Sequence, residues 1–281
     1  MNKLSPERRA AVVRCLVEGN SIRATVRITG AAKNTVTKLL VELGEACFEY
    51  QDRALRGLTS KRVQCDEVWS FVGCKEKNVP PSRRGRLGIG DVWTWTALDA
   101  DTKLMISWRV DQRDTRAAED FIGDLRSRLA NRVQLTTDGL KPYLTAVEDG
   151  FEGAVDYAML VKLYGTDAAE GEKRYSPAVC LGAQKTRITG RPDPKHVSTS
   201  YVERQNLTMR MGLRRFTRLT NAFSKKLENH ACAISLHFMY YNFVRPHQSL
   251  ANPYPTTPAM AAGIADHVWS IEEIVALLGS N

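Results

Sequence analysis

No apolar run in the 281-residue chain approaches the roughly 18–20 residues that a membrane-spanning helix needs. The opening stretch, MNKLSPERRAAVVRC, is charged and helix-like and lacks the apolar middle of a secretory signal. Both absences lead to the expectation of a soluble, intracellular protein with no membrane partner. Paired cysteines are missing too. Cys15, Cys47, Cys65, Cys74, Cys180 and Cys232 are scattered, none forms a CxxC pair, and no Cys/His group has zinc-finger spacing. That argues against a disulfide framework and a structural zinc site, and for reduced, buried thiols. There is no internal repeat and no low-complexity tract, which excludes a solenoid or a fibrous protein. What is present is a hydrophobic fraction of 43%, too high for a chain disordered by composition. The length allows one large domain, or a medium domain with a small appendage.

Lysine and arginine number 40 against 31 aspartate and glutamate, a formal net charge of +9. A basic surface draws a polyanion by counterion release, whatever the polyanion's sequence. The excess is concentrated. Residues 1–64 carry 12 basic and 6 acidic side chains, residues 181–226 carry 11 and 2, and the middle is nearly balanced. Two basic regions flanking a neutral body suggest two surfaces that face double-stranded DNA, in a cytoplasmic, nucleoid-associated protein.

Residues 1–50 read as an all-α helix-turn-helix unit. Ser5-Pro6-Glu7 starts a helix with Ser5 as cap and Pro6 at its first position. Ile22, Val26 and Ile28 mark a second short helix, and Gly30 a turn. A third helix from about Ala32 to Phe48 carries Val36, Leu39, Leu40 and Leu43 on its apolar side. Its start offers Lys33, Asn34, Thr35, Thr37 and Lys38 to base edges, with Arg23 and Arg27 for phosphates.

After a polar bridge at 49–61 the pattern turns to strands. Arg62–Val72, Asp91–Leu98 and Lys103–Val110 read as an antiparallel meander. A helix from Thr115 to Leu129 follows, then a strand from Arg132 to Thr137, a helix from Lys141 to about Asp149, and a strand from Asp156 to Leu163. Residues 164–197 read as a long loop or insertion. Ser198–Thr217 and Ser224–Phe243 read as long helices, and 263–281 as a helical tail. The order β-β-β-α-β-α-β-α is that of a ribonuclease H-like α/β domain, spanning 51–262 with a mixed five-stranded sheet.

Phosphodiester chemistry without a protein nucleophile calls for divalent metal, and Mg2+ prefers carboxylate oxygens. Asp66 lies in the middle of the first strand, where a carboxylate is costly without a partner. Asp138 ends the fourth strand in Thr136-Thr137-Asp138-Gly139. Glu203 shares a helix face with Asn206, Arg210 and Arg214, while Val202, Met209 and Phe216 share another that suits packing on the sheet. Glu67 adjoins Asp66, and strand alternation lets only one of the two face the site. Asp99 and Asp156 compete on the same sheet, so spacing alone leaves the set open.

Asp66-Glu67-Val68-Trp69, Thr137-Asp138-Gly139 and Tyr201-Val202-Glu203-Arg204-Gln205-Asn206 resemble the three acidic blocks of bacterial insertion-sequence transposases of the DDE type, closest to the family of the first-numbered insertion sequence. The segments Ser21–Thr25 and Lys33–Val36 resemble the helix-turn-helix that precedes such catalytic domains. Tyr241–Leu250 with Thr257-Pro258-Ala259 is similar to the tail that ends many of them. The resemblance spans roughly residues 20 to 262. It implies that Asp66, Asp138 and Glu203 are catalytic and bind two Mg2+ ions, with Mn2+ as substitute. It implies cleavage at the terminal inverted repeats of an element, then attack of the freed 3′-hydroxyl on target DNA, by a homo-oligomer on DNA. DNA contacts are expected from the helix-turn-helix residues and from Asn206, Arg210, Arg214, Arg215, Arg245 and His247, with support of the metal site as the other role for Asn206. Members of that family often carry zinc-binding cysteines near the front, and none has that spacing here, which leaves room for a partner chain that supplies further DNA contacts. Two other readings share these features: a domesticated, non-catalytic DNA-binding regulator, and a nuclease of the same fold acting on RNA–DNA hybrids.

Overall fold

The computed structural model describes residues 4–164, 180–217, 220–250 and 253–279. Three helices lead: α1 (Pro6–Val17), α2 (Ile22–Thr29) and α3 (Lys33–Ala54). Ser5 and Ser21 cap the first two, accepting from Arg8 N and Ala24 N. Gly30 ends α2 at φ 68, the left-handed conformation that favours glycine. The third helix runs past the expected Phe48 through half of the stretch read as a bridge. No glycine or proline interrupts Glu49–Ala54, and the buried Gln51 donates to Cys47 O and Ser235 O at 3.0 and 3.2 Å.

The sheet is formed by β1 (Arg62–Val72), β2 (Gly90–Asp99), β3 (Met105–Asp111), β4 (Val133–Thr137), β5 (Val155–Tyr164) and β6 (Cys180–Thr189), in the order β3-β2-β1-β4-β5-β6. β1, β4 and β5 are parallel, and β2, β3 and β6 run antiparallel to their neighbours. A three-stranded meander continued by parallel strands is the ribonuclease H-like arrangement. Six strands stand where five were expected. The sixth falls in the stretch read as a loop, because β6 is exposed on both faces and carries no period-two apolar signal. The rest of that loop, 165–179, lies outside the described residues.

Helices α4 (Thr115–Arg128) and α5 (Pro142–Phe151) cover one face of the sheet. There Trp95 is fully buried, 5.9 Å from the Phe121 ring and 5.5 Å from that of Tyr143. Each such aromatic contributes about 2–3 kcal/mol by burial. The other face receives α6 (Ser200–Gly212) and α7 (Leu227–Met239), the latter prolonged by a π-helical turn at Tyr240–Val244. The two long helices are shorter than the sequence pattern suggests, since Leu213 and Lys226 take extended backbone. α7 is buried nearly all round, as its run of apolar residues demands. It is pinned between β3, through Trp108 and Phe238, and α3. Gly44 makes that last approach possible, since a Cβ there would stand 2.4 Å from Cys232 Cβ.

Two short helices, α8 (Pro258–Ala261) and α9 (Ile271–Ala276), complete the fold. α9 opens with a Ser270/Glu273 capping box and packs on α1, where Arg14 pairs with Glu272. Ala10, Val13, Leu40, Leu43 and Cys47 of the leading helices join the same apolar core as the sheet. Among the described residues the cysteines are free thiols, and no helix is long and apolar enough to cross a membrane.

Candidate active site

Parallel pairing of β1 with β4 sets Arg62, Val63 and Gln64 against Gln134, Leu135 and Thr136. Carried two residues on, that register brings Asp66 level with Asp138. β4 ends at Thr137, so Asp138 sits where the two strands part. Its Oδ1 accepts from Leu140 N at 3.0 Å, which fixes the turn into α5.

Asp66 is held on two sides. Its Oδ1 accepts from Glu67 N at 2.9 Å and its Oδ2 from Asn206 Nδ2 at 2.7 Å. Asn206 lies one turn beyond Glu203 on α6, so the helix that carries the third acid also orients the first. Glu203 Oε1 accepts from Thr199 Oγ1 at 2.6 Å, and its Oε2 pairs with Lys162 of β5. Asp66, Asp138 and Glu203 line one open cleft of about 660 Å³, with Arg113, Lys141 and Lys162 among its other walls. Burial, then the charges of Asp138 and Glu203, push the Asp66 carboxyl up to about 6. A site that disfavours its own negative charge in this way favours a cation.

Strand alternation does not separate Asp66 from Glu67 as expected. One carboxylate oxygen each of Asp66, Glu67 and Asp138 lie within 4.8 Å of one another. Glu203 stands outside that trio but in the same cleft. Past the end of β4 there is no strand between the two faces of the sheet, so the longer Glu67 side chain reaches the gap from the far side. Burial first, and Asp138 next, raise its carboxyl to about 8. Arg113 Nε donates to Glu67 Oε2 at 3.1 Å, its Nη2 forms an ion pair with the same oxygen at 3.1 Å, and the guanidinium approaches Asp138 at 3.7 Å. Nothing in Gln112-Arg113-Asp114 signals this role, nor does the sequence around Lys162 signal its own, while Glu67 stood in the sequence only as a rival of Asp66 for one place. The competing acids are otherwise engaged. Asp99 Oδ1 accepts from Asp101 N and Thr102 N in the β2–β3 turn, and Asp156 pairs with Arg132 at 2.8 Å.

A second and larger groove, about 1400 Å³, opens between α2–α3 and the segment after α6. Seven of the residues expected to contact DNA line it: Arg23, Lys33, Asn34, Thr37, Lys38, Arg214 and Arg215. Lys225 and Lys226 add to the far wall. Arg27, Thr35, Arg210, Arg245 and His247 line neither cleft. Asn206, expected to support the metal site or to meet a phosphate, is buried and bound to Asp66. His247 is taken up in a local turn, where its backbone N–H donates to Thr256 O at 2.9 Å and its Nδ1 meets Ser249 Oγ at 3.0 Å.

No protein-family model matches the chain, and no curated protein matches it. Among solved structures it is similar to a piggyBac transposase in a synaptic complex with hairpin DNA, at 12% identity over 97% of this chain and 70% of that one, with a TM-score of 0.37. It is also similar to the Mos1 mariner paired-end complex with Mn, at 10% identity over 100% of this chain and 80% of that one, with a TM-score of 0.32. The Mos1 strand transfer complex aligns at 13% identity over 84% and 77%, with a TM-score of 0.25. Likenesses this distant carry no weight by themselves, and the fold rests on the strand order and pairing described above.

Proposed function

We propose that this chain is a DNA transposase of the DDE type, which cuts DNA at the ends of an insertion element and joins the freed ends to target DNA. The observation that carries the reading is the convergence of acids from three separate elements, β1, the end of β4, and α6, on one cleft rimmed by basic side chains. The resemblance of the same three segments to the acidic blocks of insertion-sequence transposases supports it.

Asp66, Asp138 and Glu203 suit a hard divalent cation such as Mg2+ or Mn2+, because every donor is a carboxylate oxygen and Asp66 is held ready by Asn206. Such an ion, when bound, supplies charge to activate the attacking oxygen and to stabilise the leaving one. The chain's own part is to position. Asn206 fixes the Asp66 carboxylate by donating to its Oδ2. Thr199 keeps Glu203 in place at the start of α6. Arg113, Lys141 and Lys162 bring positive charge to the rim, where a phosphodiester would lie. The basic groove, with the start of α3 as one wall, reads as a helix-turn-helix surface for duplex DNA. Bringing two element ends together calls for at least two copies on DNA.

The test is Asp66→Asn in a cleavage and strand-transfer assay on the native flanking DNA, with and without Mg2+. Loss of at least a thousandfold in nicking with duplex binding within about threefold of wild type is the expected result, given what transition-state charge stabilisation contributes. Normal cutting by the variant would refute the site. Duplex binding without any cutting by the wild-type chain would favour a regulator, and preferential cutting of RNA–DNA hybrids would favour a nuclease.

A further inference from the structure

Glu67 is the acid that a three-acid site leaves out. Its carboxylate is almost wholly shut from solvent, with 1% of the side chain exposed. Arg113 satisfies Oε2, while Oε1 is buried with no hydrogen-bond partner. A buried carboxylate oxygen without a donor, set beside two other carboxylates, is costly to keep unless a positive charge meets it. The guanidinium cannot do so. It is fixed at the outer oxygen, with its Cζ 4.7 Å from the centre of the Trp93 ring and an Nη 3.7 Å from Asp138. The Tyr143 hydroxyl draws the Glu67 carboxyl down as a side-chain hydrogen-bond donor, but it is too poorly placed to count as bonded and brings no positive charge.

The spacing of the trio fits a cation. Oxygens on opposite sides of an octahedral Mg2+, each bonded at about 2.1 Å, stand about 4.2 Å apart. Only one pair of three such oxygens can be opposite, and the other pairs stand about 3.0 Å apart, so the oxygens of Asp66, Glu67 and Asp138, which lie within 4.8 Å of one another, draw in by up to about 1.8 Å to share one ion. We propose that Glu67 is a ligand of the divalent cation in this cleft, using its inner oxygen beside Asp66 and Asp138 while Arg113 holds the outer one. This rests on the cation site of the proposed function and extends it from three acids to four, with Glu203 facing the others from α6.

The test is Mn2+ binding to the full chain, followed by loss of the free-ion signal in electron paramagnetic resonance. Glu67→Gln is expected to weaken binding at least tenfold, while its unfolding midpoint without metal stays at or above that of wild type. Unchanged Mn2+ affinity in E67Q overturns the proposal and leaves Glu67 a structural partner of Arg113. Should E67Q fail to fold, Arg113→Gln gives the second measurement. Removing the guanidinium strands both oxygens of Glu67, so Mn2+ is expected to raise the unfolding midpoint of R113Q by more than it raises that of wild type. An equal or smaller rise overturns the proposal. Neither measurement involves DNA. A chain that binds Mn2+ through Glu67 but never cuts DNA refutes the transposase reading alone, and one that cuts DNA while E67Q binds Mn2+ normally refutes the Glu67 ligand alone.

Discussion

Two histidines of α7, His230 and His237, are buried without being near the acids, and their surroundings differ. His230 sits in a chain whose donors can be assigned in order. Ser70 Oγ donates to Val92 O at 3.3 Å, so it accepts from His230 Nε2 at 3.0 Å. Nδ1 is then the acceptor for Ser224 Oγ at 2.9 Å, and Ser224 in turn accepts from Arg215 at 2.7 Å. The neutral ring therefore aims a groove arginine. His237 is buried with neither ring nitrogen hydrogen-bonded. Burial, then Arg215 for His230 and Arg245 for His237, push both rings down to about 3. Depressed histidines contribute stability that is complete above the unfolded value near 6.5 and is lost as pH falls toward 3. Acid unfolding followed by circular dichroism is expected to begin inside that window. His237→Leu should move its midpoint down by roughly half a pH unit or more and cost under about 1 kcal/mol at pH 7, since no hydrogen bond is lost. A midpoint unmoved by the substitution would show that His237 does not drive the transition.

At the level of elements, β1 governs both sides of the cleft. Gln64 precedes Asp66 by two residues and so shares its face. Its Oε1 accepts from Tyr201 N at 2.9 Å and Val202 N at 3.1 Å. These are first-turn donors of α6, whose N-cap residue Thr199 offers no side-chain cap. One strand thus carries the first acid and docks the helix that carries the third. Gln64→Leu strands two donors and is expected to cost about 1–2 kcal/mol in denaturant unfolding. Cation-dependent nicking should fall as well, even under conditions where the variant stays folded. A variant as active and as stable as wild type would mean that α6 holds its place by packing alone.

Across the whole molecule, the leading helices and the ribonuclease H-like sheet are joined by α3 against α7 and α1 against α9. The large basic groove exists only because of that docking, since its walls lie about 190 residues apart in the chain. If both walls face one duplex, Lys33→Ala and Lys226→Ala should each weaken DNA binding across sequences. Each should also lower the slope of log K against log salt by about one. A slope changed only by Lys33→Ala would confine the contact to the leading helices and leave the far wall out of the interface.

Local periodicity was enough for nearly every element of the fold. Runs rich in β-branched and aromatic residues marked β1 to β5, and apolar residues at helical spacing marked most of α1 to α7, because these elements bury apolar side chains in the core. β6 stayed hidden because it buries neither face, and the length of α3 because its extension is polar outside and anchored by Gln51 within. The acids Asp66, Asp138 and Glu203 stand in segments that could be singled out by their neighbours in the chain. That Glu67 joins them, that Arg113 and Lys162 pair with them, and that Gln64 caps α6 depended on strand register and on where β4 stops. Such contacts between distant residues leave no period in the sequence, because they are set by how the elements dock and not by how any one of them forms.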